Sequence, residues 1–105
     1  MESFSALSEK LQKEKELCSL VEFFKMLGNP TRIHILLLLM EQDACVGSLA
    51  EQLGMTQSAV SHQLSLLKSS KLVRRRRDGK MIVYTLSADH VRLVLKKGIK
   101  HIFER

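Results

Sequence analysis

Near the C-terminus stand His90, His101 and Glu104, whose imidazole and carboxylate groups are ligands for divalent metal ions. At about 100° per residue, a helix brings position 101 back to within about 20° of position 90, and position 104 to within about 40°. All three then share one face. Eleven residues also rise about 16 Å, whereas bonds from His or Glu to a metal are only about 2 Å. One helix therefore cannot bring His90 and His101 to the same ion. Two antiparallel copies can, with His90 of one chain beside His101 and Glu104 of the other, in two equivalent sites across a two-fold axis. His101 and Glu104 are helix-surface neighbours and can chelate as a unit. The same residues equally suit a solvated helix end, with His101 and Glu104 paired to Lys97 or Lys100.

A second group lies in Met55 to Lys71, MTQSAVSHQLSLLKSSK. Val60, Leu64 and Leu67 recur at i, i+4, i+7, widened by Ala59 and Leu66, which makes one face core. The other face carries Gln57, Ser58, Ser61, His62 and Ser65, with no acid. Small hydrogen-bonding groups without a carboxylate suit the major groove of DNA, where base edges offer donors, acceptors and a methyl. An ordinary solvated face is the bland alternative. The third group is RRRRDGK: Arg74, Arg75, Arg76, Arg77 and Lys80 around Asp78-Gly79. Four adjacent arginines repel one another, and a polyanion relieves that repulsion best.

These groups need elements to hold them. Val46 to Leu53 reads as a helix, with Gly54 just past its end where a left-handed residue is easiest. Thr56 then caps the reader helix, because its side-chain oxygen can accept an orphan N–H. Together they form a helix-turn-helix. From Leu72 the period changes: Leu72-Val73 and MIVYTL (Met81 to Leu86) are β-like and flank Asp78-Gly79, a hairpin signal. Residues 72–86 are therefore expected to form a wing with a basic tip, its arginines on phosphate or in an adjacent minor groove. Ser87 caps a last helix from Ala88 to about Phe103, striped by Val91, Val94, Leu95, Gly98 and Ile102. Gly98 would let a second helix approach closely.

Upstream, a helix is expected from Ser5 or Ser8 to about Leu27. Its first half is solvated by Lys10, Lys13, Glu14, Lys15 and Glu16. Its second half, with Leu17, Cys18, Leu20, Val21, Phe23 and Phe24, is apolar nearly all round and is expected to be buried. Gly28-Asn29-Pro30 ends it and starts the next, with Asn29 as cap and Pro30 at the first position. That helix runs to about Glu41 and is core through Ile33 and Ile35 to Met40. Arg32 is read as a structural pairing residue and His34 as a boundary residue. Glu41 to Cys45 is read as a loop, Cys45 as a helix-start residue and Cys18 as core.

The 105 residues suffice for one domain, 1–105, with a modest core, and 45% hydrophobic content excludes disorder. Scarce aromatics, Gly and Pro favour helix, so the fold class is mainly α with a small β-hairpin (α+β). A net charge of +6 and a sequence pI near 9.6 point to nucleic acid first and an anionic membrane second. No apolar run reaches the ~18 residues of a membrane span. The start, MESFSALSEK, lacks a signal-peptide core, so a cytoplasmic location is expected. Two cysteines are too few for a disulfide scaffold. No residue set suggests catalysis.

Over about residues 17–104 the chain resembles the ArsR/SmtB family of winged-helix repressors. The similarity rests on LGNPTRIHILLLL, on VGSLAEQLGMTQSAVSHQLSLLKSSKLVRRRRDGKMIVYTL, and on DHVRLVLKKGIKHIFE. The resemblance implies a homodimer on an operator, released by an inducer that is often a metal ion. Zinc-sensing members use an Asp-x-His pair and a His-x-x-Glu or His-x-x-His pair on the last helix, from opposite chains. His90, His101 and Glu104 match three of these positions. Ala88 stands where the Asp belongs, and Asp89, one residue on, lies about 100° off that face unless the helix start frays. As an acid at a helix N-terminus, Asp89 has a structural role open to it too. A second family site, Cys-x-Cys, is half present as Cys45-Val46-Gly47.

The expectation is thus a homodimeric winged helix-turn-helix repressor with reader motif 46–70, wing 72–86 and dimerisation helices 5–27 and 88–104. Zn²⁺ is the expected inducer, with Co²⁺ or Ni²⁺ as substitutes. Half-sites would lie about one turn of DNA apart. Gln57, Ser58, Ser61, His62, Arg75, Arg77 and Lys80 are the DNA candidates, strand alternation leaving open which arginines face DNA. His90, His101, Glu104 and Asp89 are the metal candidates. A thiol-responsive or metal-insensitive repressor of the same fold, and a winged helix that binds protein rather than DNA, are the competing readings.

Overall fold

A computed structural model describes residues 6, 8–9, 14–87 and 89–104. The order is α1 (Glu14–Leu27), α2 (Pro30–Glu41), α3 (Val46–Leu53), α4 (Gln57–Ser69), β1 (Val73–Asp78), β2 (Met81–Leu86) and α5 (Asp89–Phe103). The start of the first helix, with Leu7, Lys10, Leu11 and Lys13, lies outside the described residues, as does Ala88.

Local chemistry sets most boundaries. The Asn29 side chain accepts from the Arg32 N–H at 3.1 Å, and Pro30 occupies the first turn of α2. Gly54 ends α3 at φ +65°; its N–H reaches the Glu51 carbonyl and the Met55 N–H that of Ala50, at 3.0 Å. Those two bonds satisfy carbonyls the helix end leaves unpaired. Thr56 Oγ1 then accepts from the Ala59 N–H at 3.1 Å and starts α4. The same closure recurs after α4: Lys71 N–H to the Lys68 carbonyl at 3.0 Å, and Leu72 N–H to that of Leu67 at 2.9 Å. Here the left-handed position is held by a lysine, Lys71 at φ +62°.

The core forms around α2, whose Ile35, Leu36 and Leu39 are buried. Leu49 and Ala50 of α3, Val60, Leu64 and Leu67 of α4, Leu72, Val73, Tyr84 and Leu86 of the wing, and Val91 and Leu95 of α5 complete it. No polar or charged residue is buried among those described. Arg32 lies across α2 and α4, donating from Nε to Gln63 Oε1 at 3.0 Å, which is the structural pairing expected of it. His34 is exposed, at the boundary. Arg92 of α5 donates to the Met40 carbonyl at 2.7 Å and so ties the last helix to the end of α2.

The wing is an antiparallel hairpin whose register runs from Val73↔Leu86 to Asp78↔Met81. The two turn residues are Gly79 and Lys80, one position beyond the expected Asp78-Gly79 centre, with Gly79 at φ +63°. Glu41 to Cys45 is not wholly loop: Glu41 closes α2, and Ala44 exchanges two backbone bonds with Tyr84, at 2.8 and 3.1 Å. This bridge sets a third chain segment along β2. No signal within residues 41–45 announces it, because the partner lies forty residues away.

Two expectations are corrected at α1. Its second half is not buried within the protomer: Leu17, Leu20, Val21 and Phe24 are exposed, Phe24 to 56%. Cys18 is exposed rather than core. Among the described residues, the helix packs on the core towards its C-terminal end, where Leu27 is buried and Phe23 and Met26 lie against it. Apolar residues around a helix signal burial, but not whether the covering surface belongs to the same chain.

Candidate DNA interface and metal-ligating residues

Capping at Thr56 fixes where α4 begins and so which side chains it shows to solvent. Gln57, Ser58, Ser61, His62 and Ser65 are all exposed, on the side opposite buried Val60, Leu64 and Leu67. The face is free of acid. Eleven residues after Gln57, and so within about 20° of it, Lys68 extends the same face and is exposed. The helical arithmetic that joins His90 to His101 would also have found Lys68.

The strand register divides the arginines. Paired residues of an antiparallel ladder project to the same side. Arg75 sits opposite Tyr84 and Arg77 opposite Ile82, on the side that turns towards the core; Arg74 and Arg76 sit opposite Thr85 and Val83, on the other. Arg75 also lines a concavity together with Ser65, Lys68 and Ser69 of α4. Arg76, by contrast, reaches Asp43 at 3.2 Å and Asp78 at 3.8 Å. Lys80 stands in the turn at the tip, exposed. The reader face, polar and acid-free with Lys68 at its end, is thus adjacent to an exposed and predominantly cationic wing.

The metal candidates occupy α5 and, for Glu104, the residue just past its end, and all are exposed. Asp89 is the first helical residue, where an acid is favourable against the helix dipole. His90 follows it, and His101 and Glu104 lie three turns further on. Glu104 pairs with Lys100 at 3.7 Å, the solvated-end pairing the sequence also allows. Among the described residues of one protomer, no three His, Cys, Asp or Glu side chains converge. The donors fit a borderline divalent ion only in two parts, His90 at one end and His101 with Glu104 at the other, because Asp89 is helical and about 100° off their face. Cys45, the residue before α3, makes no capping bond with its side chain, and Cys18 is far from it along the chain.

The last helix carries a further exposed set, Leu93, Ile99, Ile102 and Phe103, the last at 83%. With Leu17, Leu20, Val21 and Phe24 of α1, it leaves large apolar side chains facing water on both terminal helices.

A reader helix entered through a tight turn and followed by a basic hairpin defines a winged helix-turn-helix DNA-binding protein. A family profile described as "Bacterial regulatory protein, arsR family" matches residues 29–75. A relative described as transcriptional repressor SmtB homolog, from Synechocystis, is 36% identical over 104 residues, 93% of this chain and 79% of that protein. Among solved structures, a homodimeric winged helix-turn-helix domain from Mycobacterium bovis superposes with a TM-score of 0.82 at 29% identity, covering 90% of this chain and 87% of that one. The AntR antimony-specific transcriptional repressor matches at 0.76 and 34%, covering 90% and 91%. The chain belongs to the arsR family of bacterial transcriptional regulators and is not an enzyme. Among the described residues, no helix is long and apolar enough to cross a membrane.

Proposed function

We propose that the chain is a homodimeric transcriptional repressor whose grip on its operator is relieved by a metal ion, zinc in the first instance. The observation that carries this reading is the continuous acid-free surface from Gln57 to Lys68 beside a wing that displays Arg75, Arg77 and Lys80. Gln57, Ser58, Ser61 and His62 reach base edges or phosphates. Arg75, Arg77 and Lys80 neutralise backbone charge, which carries affinity without sequence.

The dimer reading is supported by the apolar side chains that α1 and α5 leave exposed, and by the homodimeric relative from Mycobacterium bovis. An isologous pairing of the last helices, antiparallel, sets Asp89 and His90 of each protomer near His101 and Glu104 of the other. When bound, zinc would supply a cross-link between the two terminal helices. His90, His101 and Glu104 would hold it, with Asp89 a fourth donor if the helix start opens. Glu104 must first leave Lys100, and both imidazoles must be neutral to donate. The repressor named antimony-specific among the structural relatives supports a metal-like inducer, though its own name speaks only of antimony.

The test is a zinc titration of the protein–operator complex, with chelator as reversal. Zinc is expected to weaken binding about 5- to 150-fold, the usual range of coupling between sites. His101→Ala keeps DNA affinity and loses the response; a normal response in that variant removes this metal assignment. The second candidate is the thiol reading at Cys45, the residue before α3 whose side chain makes no capping bond; it predicts release by oxidants, with Cys45→Ser inert to them.

A further inference from the structure

We infer that the cleft between α4 and the base of the wing is a phosphate clamp, in which Lys68 and Arg75 together hold one phosphate of the DNA backbone. The inference rests on the DNA-binding reading above and deepens it. Two adjoining concavities open here. One is lined by Ser65, Lys68, Ser69, Arg75 and Tyr84, the other by Lys68, Lys71, Arg74 and Arg75 with Val73 and Ser87, so Lys68 and Arg75 belong to both. No acid lines either. Among the described residues, none of these four cations has an acidic partner. Arg76, one residue along but on the opposite face of the strand from Arg75, has two, Asp43 and Asp78. The sequence RRRR therefore holds arginines of different kinds: Arg76 is latched by carboxylates, whereas Arg75, which also borders a concavity with Asp43, makes no ion pair among the described residues and lines the cleft with Lys68.

Duplex geometry says what belongs there. The wall between a major groove and the neighbouring minor groove is a sugar–phosphate strand. A helix in the one and a hairpin in the other must straddle that strand, and the space between them must receive it. The first concavity, about 280 Å³, has room for a phosphodiester and several waters at about 30 Å³ each. Arg75 offers a planar fork of donors, Lys68 a compact charge, and the Ser65 and Ser69 hydroxyls further donors to phosphate oxygens. Like charges crowded about one space are stabilised when an anion enters it.

The experiment measures binding of the full chain to a duplex it selects from a random pool, across a range of salt. Lys68→Gln and Arg75→Gln each weaken binding to all sequences alike. The double variant lowers the slope of log affinity against log salt by about 0.9 per protomer. Because both cations serve one phosphate, the two single losses do not add. Arg76→Gln leaves the slope unchanged. Replacing backbone phosphates one at a time with uncharged methylphosphonates reveals one position per half-site where the wild-type chain loses affinity and the double variant does not. A wild-type slope in the double variant, or no such position, overturns the clamp and leaves DNA binding standing. Competition by inorganic pyrophosphate through Lys68 and Arg75 at constant ionic strength, beyond that of chloride, would assign the cleft to a free phosphate ligand and also overturn it. A wild-type chain with no salt-dependent affinity for DNA removes both readings.

Discussion

Lys71 holds a left-handed conformation, φ +62°, that costs a side chain with a Cβ about 1 kcal/mol or more relative to glycine. The chain must leave α4 and enter β1 within a few residues, and the left-handed step lets it do so while the carbonyls of Leu67 and Lys68 close the helix end. Lys71→Gly is expected to raise stability by about 1 kcal/mol, read from urea unfolding, while lowering DNA affinity because a cation leaves the cleft. Thr56→Ala should cost about 1 kcal/mol, since the Ala59 N–H loses its acceptor. At this scale the sequence is legible wherever the cause is local. Asn29, Gly54 and Thr56 act on residues within a few positions, and each does what its type implies. Cys18 reads as core in the sequence yet is exposed, because burial depends on what else its helix meets. The division of labour between Arg75 and Arg76 follows from the strand register, which the run of four identical residues does not encode.

Among elements, the terminal helices carry the most weight. Phe24 of α1 and Ile102 of α5 are exposed to 56% and 51%, a costly arrangement for a lone chain in water. Phe24→Asp or Ile102→Asp is expected to halve the mass measured by light scattering, without loss of helix content. With only one reader per particle, operator binding should also weaken by roughly 100-fold or more. An unchanged mass in both variants would place the dimer contact elsewhere. Arg92 holds α5 to the end of α2 through the Met40 carbonyl, and Arg92→Ala should cost about 2 kcal/mol in urea unfolding. The periodicities of α4 and α5 and the change of period at the wing are readable from the chain. The Ala44–Tyr84 bridge and the Arg92 contact are not, because each joins segments about forty to fifty residues apart.

At the scale of the whole molecule, one protomer displays a reader face, a basic cleft and half of each proposed metal site, so the metal site alone needs the second chain to complete it. In the sequence, the family resemblance carries the dimer and the metal together, and the family assignment bears out the winged helix-turn-helix fold. Paired DNA recognition by two such protomers is decided by the stoichiometry and salt dependence of the complex with a selected duplex. Two chains per duplex, with affinity falling about 10³-fold or more between about 50 and 200 mM salt, is the expected result for at least about six phosphate contacts. One chain per duplex, or an affinity indifferent to salt, would contradict it.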